Sequence, residues 1–162
     1  MRWIWIDRFE QFESGVRAVA VKHVSLAEEH LHDHFADFPL MPPSLMIEGM
    51  AQTAGILVGE ARGFAEKVIL AKIKRARFDR LVRPGETLRY RAEIEQLTDA
   101  AASTLGRITV DDELVGEVDL VFSHIDQNIS GLEFPQENFV FTEAFMALLN
   151  TFRQHGGERI EL

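Results

Sequence analysis

The sequence contains no cysteine. That excludes a disulfide framework, thiolate catalysis and any cysteine metal site, and it fits a reducing, cytoplasmic compartment. Long apolar runs are also missing. The longest is interrupted by Glu48 and Gln52, so membrane insertion is not expected. The opening "MRWIWIDRFE" is too short an apolar stretch for a secretory signal. Positive charge is in deficit, with 17 Lys and Arg against 26 Asp and Glu, a net charge of −9. Nucleic acid is therefore not an expected partner. The deficit is uneven. Residues 72–83 carry +5 through Lys72, Lys74, Arg75, Arg77, Arg80 and Arg83 against Asp79, leaving −14 elsewhere. Such a spot reads either as a solvated strand face or as a dock for an anionic partner.

What remains is ordinary globular material: 162 residues, 46% hydrophobic, enough for one core. Residues 15–24 alternate with β-branched positions and read as a strand. Pro39, Pro42 and Pro43 forbid a helix interior, so residues 25–42 read as a loop. Pro43 suits the first turn of a helix, because the N–H it lacks would be an orphan there. From Pro43 to Gly63 apolar residues cover almost the whole circumference, which predicts a buried helix of about five turns. Gly49 and Gly55 weaken it and would permit close approach by a surrounding sheet. Strands follow at 68–82, 88–98, 101–110 and 113–125, with a turn at "RPGET" and a hairpin at Asp111-Asp112. In the tail, Thr142 is a cap candidate before Phe145, Leu148, Leu149 and Phe152 at helical spacing, and Gly156-Gly157 ends the run. The prediction is an α+β domain over 1–125, an antiparallel sheet around one buried helix. A C-terminal extension, 126–162, adds an amphipathic helix packing on the domain or on a partner.

Glu48 is the anomaly, a carboxylate in an apolar helix. Burial of such a group is costly, and the usual response is a raised pKa, which suits a proton donor. Gln52, four residues on, shares its face and can orient it. A structural glutamate paired to a distant arginine is the competing reading. Upstream, His34 has the chemistry to take a proton near neutrality, or it is a surface histidine. His30, His32 and His34 would share one face of an extended chain, a weak metal pattern with no evident fourth ligand. A base, an acid and the free N–H groups of a helix start are together what elimination of water from a 3-hydroxyacyl thioester requires.

The block "HFADFPLMPPSLMIEGMAQTAGIL" resembles the 3-hydroxyacyl-acyl-carrier-protein dehydratases, a hot-dog-fold family with the approximate motif HFPGxPxMPGVLxxEAxAQ. "WIDRFEQFESGVRAVAVKHVS" and "IKRARFDRLVRPGETLRYRAEI" are similar to flanking family segments, so the resemblance spans about residues 3–124. It implies catalytic roles for His34 and Glu48, with Gln52 supporting. It further implies a homodimer, assembled further as a trimer of dimers, in which each site takes His34 from one protomer and Glu48 from the other. The acyl chain would lie between protomers, and no cofactor or metal is implied. The substrate would be carried on acyl carrier protein or coenzyme A. Charge suggests Lys74, Arg75, Arg77 and Arg80 for docking the acidic carrier. The chain departs from the motif at Ala36, Asp37, Pro43 and Ser44. Pro43 replaces a glycine whose N–H helps bind the thioester carbonyl in the family, which leaves Ser44 as the substitute donor. A coenzyme A hydratase or thioesterase relative, and a non-catalytic acyl-binding or hetero-oligomer subunit, are the alternatives.

Overall fold

A computed structural model describes residues 3–35, 37–125 and 137–154. Six strands form one antiparallel sheet: β1 (Arg8–Glu13), β2 (Arg17–His23), β3 (Lys67–Phe78), β4 (Thr87–Leu97), β5 (Ala101–Val110) and β6 (Glu113–Ile125). Their order is β1-β2-β4-β5-β6-β3. Three helices accompany them: α1 (His30–Asp33), α2 (Pro43–Ala61) and α3 (Glu143–Gln154). The sheet curves around α2, which packs on β2, β3, β4, β5 and β6. This is the hot-dog arrangement.

The predicted strand at 15–24 is present as β2, but it is buried continuously from Ala18 to Lys22 instead of alternating; every second residue is buried in β5 and, from Leu88 to Ala92, in β4. Asp111 and Asp112 both adopt positive φ, 48° and 66°, the conformation a two-residue hairpin demands. β3 stops at Phe78, four residues short of the predicted end. Asp79 N–H instead bonds Val115 O, and Val82 O receives Met41 N–H, which ties the returning chain to the start of α2. β1 escaped the sequence reading because its burial alternates only weakly along "RFEQFE".

Two further expectations are corrected. The loop before α2 contains α1, one helical turn, so its three histidines do not line one extended face. And α2 is not buried all round. Met46, Met50, Ala54 and Leu57 are buried against the sheet, whereas Leu45, Ile47, Glu48, Ala51 and Gly55 form a half-exposed stripe. A residue pair at i and i+3 or i+4 shares a face, so the stripe is continuous.

The helix comes close to the sheet where it lacks a side chain. A Cβ on Gly49 would stand 2.4 Å from Tyr90 Cζ, whereas at Gly55 the nearest atom is 3.4 Å away, ordinary contact. Of the two predicted approach points only Gly49 is one. A third, Gly59, lies against Phe141.

α3 is capped as predicted: Thr142 Oγ1 accepts the Phe145 N–H at 3.3 Å. Phe145 and Leu149 join the common core, while Leu148 turns outward. The Phe152 side chain and Gly156-Gly157 lie outside the described residues.

Replacing Gly49 with alanine forces Tyr90 out of its buried position. The expected cost is about 1–3 kcal/mol, the range for overpacking, read as a lower denaturation midpoint with an unchanged slope.

Candidate active site

The site is built from the first two turns of α2. Pro42 is the cap and Pro43 the first helical residue. Pro42 O accepts both the Leu45 N–H at 2.9 Å and the Met46 N–H at 3.2 Å. Pro43 has no N–H to give. Ser44, exposed, therefore holds the N–H at this helix start that has no backbone partner among the described residues. The positive end of the helix dipole lies at the same point.

One turn further on, Glu48 Oε1 accepts a hydrogen bond from Gln52 Nε2 at 2.7 Å. The i, i+4 partnership read from the sequence is thus present. Glu48 itself is half-buried, on the open stripe, rather than sealed in the core. Gln52 is the sealed one, at 3% exposure. Its Nε2 also donates to Trp3 O at 3.0 Å, and its Oε1 accepts the Trp5 N–H at 2.7 Å. A flipped amide would set a donor against the Trp5 N–H, so the extended N-terminal segment fixes which end faces Glu48. Glu48 Oε2 has no hydrogen-bond partner among the described residues. Nothing in the sequence pointed to Trp3 and Trp5, because the contact is main-chain and spans 47 to 49 residues.

Glu48 opens onto a groove of about 170 Å³, walled by Ala51, Gln52 and Gly55 of α2, Val68 and Leu70 of β3, Phe122 of β6, and Val140 and Phe141. The walls are apolar apart from Glu48 and Gln52 at one end. A second recess, of about 240 Å³, lies at the helix start between Met41, Pro43, Met46, Phe78 and the segment Asp79–Val82.

His34 ends α1, its N–H bonded to His30 O at 3.2 Å. Its half-buried ring stands 4.4 Å from that of Phe35. Phe35 adopts φ 54° and is 61% exposed, a left-handed backbone unusual for an aromatic residue. His34 is not among the walls of the Glu48 groove. The other two histidines turn elsewhere. His32 Nε2 meets Leu26 O at 3.0 Å, and the His30 ring packs edge-on against Trp5 at 5.2 Å. Loss of water holds the His30 imidazole below its ordinary pKa, against the opposing pull of Glu28.

The basic segment is less bare than its sequence suggests. Lys74 pairs with Glu95 at 3.2 Å, Arg75 with Asp119 at 2.9 Å, Arg77 with Asp79 at 2.7 Å, and Arg80 with Glu86 at 2.9 Å. All four suggested docking residues thus have acidic partners, and two of those partners, Glu95 and Asp119, are supplied by other strands. Arg83 lays its guanidinium over the Phe38 ring at 4.4 Å.

Residues 3–119 match the FabA-like domain family. The chain is 38% identical over 125 residues to the 3-hydroxyacyl-acyl-carrier-protein dehydratase FabZ of Chloroflexus aggregans, covering 76% of this chain and 87% of the relative. It is 38% identical over 122 residues to FabZ of Pelotomaculum thermopropionicum, covering 75% and 87%. Among solved structures, the dehydratase heterocomplex ApeI:P of Xenorhabdus doucetiae aligns with TM-score 0.62 at 17% identity, over 75% of this chain and 83% of that one. The protein PH1136 of Pyrococcus horikoshii aligns with TM-score 0.62 at 18% identity, over 77% and 87%. At such identities the structural likeness speaks to fold alone. The sequence matches carry more, and they cover the helix start, Glu48, Gln52 and the sheet around them: the chain belongs to the FabA-like family of 3-hydroxyacyl-acyl-carrier-protein dehydratases.

Proposed function

We propose that the protein dehydrates 3-hydroxyacyl thioesters to trans-2-enoyl thioesters in fatty-acid synthesis, with acyl carrier protein presenting the substrate. One observation carries the reading. A carboxyl oriented by a locked amide stands at the polar mouth of an apolar groove, beside a helix start with an uncommitted N–H.

The chemistry is a pair of proton movements. His34 removes the proton α to the thioester, and the electron pair forms the Cα–Cβ double bond as the Cβ–oxygen bond breaks. Glu48 protonates the departing hydroxyl, which leaves as water. The Ser44 N–H receives the negative charge that builds on the thioester oxygen. Gln52 is a positioning residue that keeps Oε2 of Glu48 toward the substrate. Both transfers are completed by protein side chains, so the reaction calls for no cofactor.

His34 and Glu48 face different surroundings within one chain, which supports a site shared between two copies. β3 supports it too. This strand is an edge of the sheet, with Leu70 37% and Ile73 43% exposed, an open ladder of the kind that pairs with another chain. A second copy there would also cover the open stripe of α2. We assign the homodimer as the working unit, with His34 from one protomer and Glu48 from its partner, and a trimer of dimers as the higher assembly. Carrier docking belongs near the recess at the helix start, where Arg80 lines the wall and Arg83 lies beside Phe38. Lys74, Arg75 and Arg77 would contribute by exchanging their acidic partners for those of the carrier. No helix among the described residues is long and apolar enough to cross a membrane. We place the activity in the cytoplasm.

Pro43 favours one second reading, a non-catalytic acyl-binding subunit. The uncommitted N–H of Ser44 opposes it.

The enoyl absorbance of a crotonyl or longer thioester should change on addition of the protein. His34→Ala or Glu48→Gln should lower kcat by roughly 10²–10⁴, the usual worth of a general acid or base. Release of free thiol would mark a thioesterase instead, and saturable carrier binding without turnover would mark the non-catalytic subunit.

Pro43→Gly distinguishes the two donors. With Ser44 already serving, kcat stays near wild type in both Pro43→Gly and Ser44→Ala. A rise of ~10²–10³, the worth of one such donor, would show instead that the site lacks one.

Ile73→Lys places a charge on the open edge of β3. It should yield a monomer in sedimentation analysis and lose activity with it. An active monomer would defeat the shared-site arrangement.

A further inference from the structure

The segment 138–141 lies beyond the family match at 3–119, yet it reaches the groove that Glu48 opens onto. Resting on the dehydratase reading, we infer that Val140 and Phe141 are the stop that sets acyl chain length, making this protein selective for short to medium acyl thioesters.

Three observations make the segment a built floor rather than a passing loop. First, one side chain pins it. Asn138 Nδ2 donates to Phe64 O at 3.1 Å and Glu66 O at 3.2 Å, while Asn138 Oδ1 accepts the N–H groups of Val140 and Phe141, each at 3.0 Å. That amide thus joins the segment to the connection between α2 and β3 with its Nδ2 and braces the segment's own main chain with its Oδ1. Second, Phe141 is wedged. It is 6% exposed, its ring rests where Gly59 has no side chain, and Phe64 and Phe145 back it at 5.0 and 5.7 Å. Phe145 belongs to α3, so the whole appended helix stands behind the ring. Third, the floor is at the right end. Glu48 and Gly59 are eleven residues apart on α2, about 16 Å at 1.5 Å per residue. The reacting carbons sit at Glu48, and a tail running along the open stripe by Ala51 and Gly55 meets Phe141.

The ring is a fixed barrier, because Phe64 and Phe145 already fill the space behind it. A longer tail would have to displace a ring with no free space behind it.

The test is a chain-length series, measuring kcat/KM on four-, eight-, twelve- and sixteen-carbon 3-hydroxyacyl thioesters for the wild type, Phe141→Leu, Phe141→Ala and Val140→Ala. The wild type should fall off at the longer substrates. Each variant should raise the ratio of twelve- to four-carbon kcat/KM by about 10-fold or more, since a single methylene in an apolar pocket is worth 10–200-fold. A change that merely loosened the fold would lower all lengths together and leave that ratio alone. Val140→Ala and Phe141→Leu are the mild replacements that keep the test open if Phe141→Ala unfolds. An unchanged ratio in the folded variants, a parallel loss at every length, or a wild type that prefers sixteen carbons overturns the stop while leaving the dehydratase reading intact. Absence of turnover at every length in the wild type overturns the dehydratase reading and the stop with it.

Discussion

The depth at which α2 sits in the sheet governs everything else in the molecule. It is set by contact between helix backbone and sheet side chains, with Tyr90 occupying the space a Cβ on Gly49 would need. On the sheet's own side Met50 reaches the backbone of Gly106 in the same way. Close packing of this kind gives each buried side chain dozens of weak dispersion contacts, and it leaves little freedom for the helix to roll or slide. With the roll fixed, the residues on the far side of α2 are fixed too. Glu48, Ala51 and Gly55 face outward because Met46, Met50, Ala54 and Leu57 face in.

That partition explains how a carboxylate is tolerated in so apolar a helix. Glu48 never enters the core. Beside it Gln52 does, and its cost is offset by three hydrogen bonds, two of them to the main chain of the N-terminal segment. A neutral amide with its bonding satisfied is a far cheaper buried group than a carboxylate, and it can transmit its own rigidity to the carboxylate beside it. The helix start follows the same economy. Proline at the first position leaves no orphan donor there, and Pro42 O takes up the next two available ones past Ser44.

Charge is arranged with comparable restraint. The basic segment is a run of cations along and just past one strand, yet its antiparallel neighbour β6 brings Glu117 and Asp119 against it, and β4 brings Glu95. The Lys74–Glu95 pair is exposed on both sides, so it contributes little to stability and salt screens it readily, whereas Asp119 is buried beside Arg75.

The amino-acid sequence alone determined the strands from β2 onward, the long helix, its capping by prolines, the Asp111-Asp112 hairpin and the partnership of Glu48 with Gln52. All of these rest on local periodicity, turn chemistry or an i, i+4 spacing, quantities that do not depend on distant residues. His34 and Glu48 were legible as candidates through a motif. The tertiary structure decided what spacing cannot encode. It showed that Glu48 lies on an open stripe, that the N-terminal main chain locks Gln52, and that partners from other strands answer the basic run. It also brought Val140 and Phe141, some ninety residues from Glu48, to the end of the same groove. Those contacts are made by backbone atoms, by charged side chains from separate strands or by apolar surfaces meeting across the fold, and none of these leaves a local pattern in the chain.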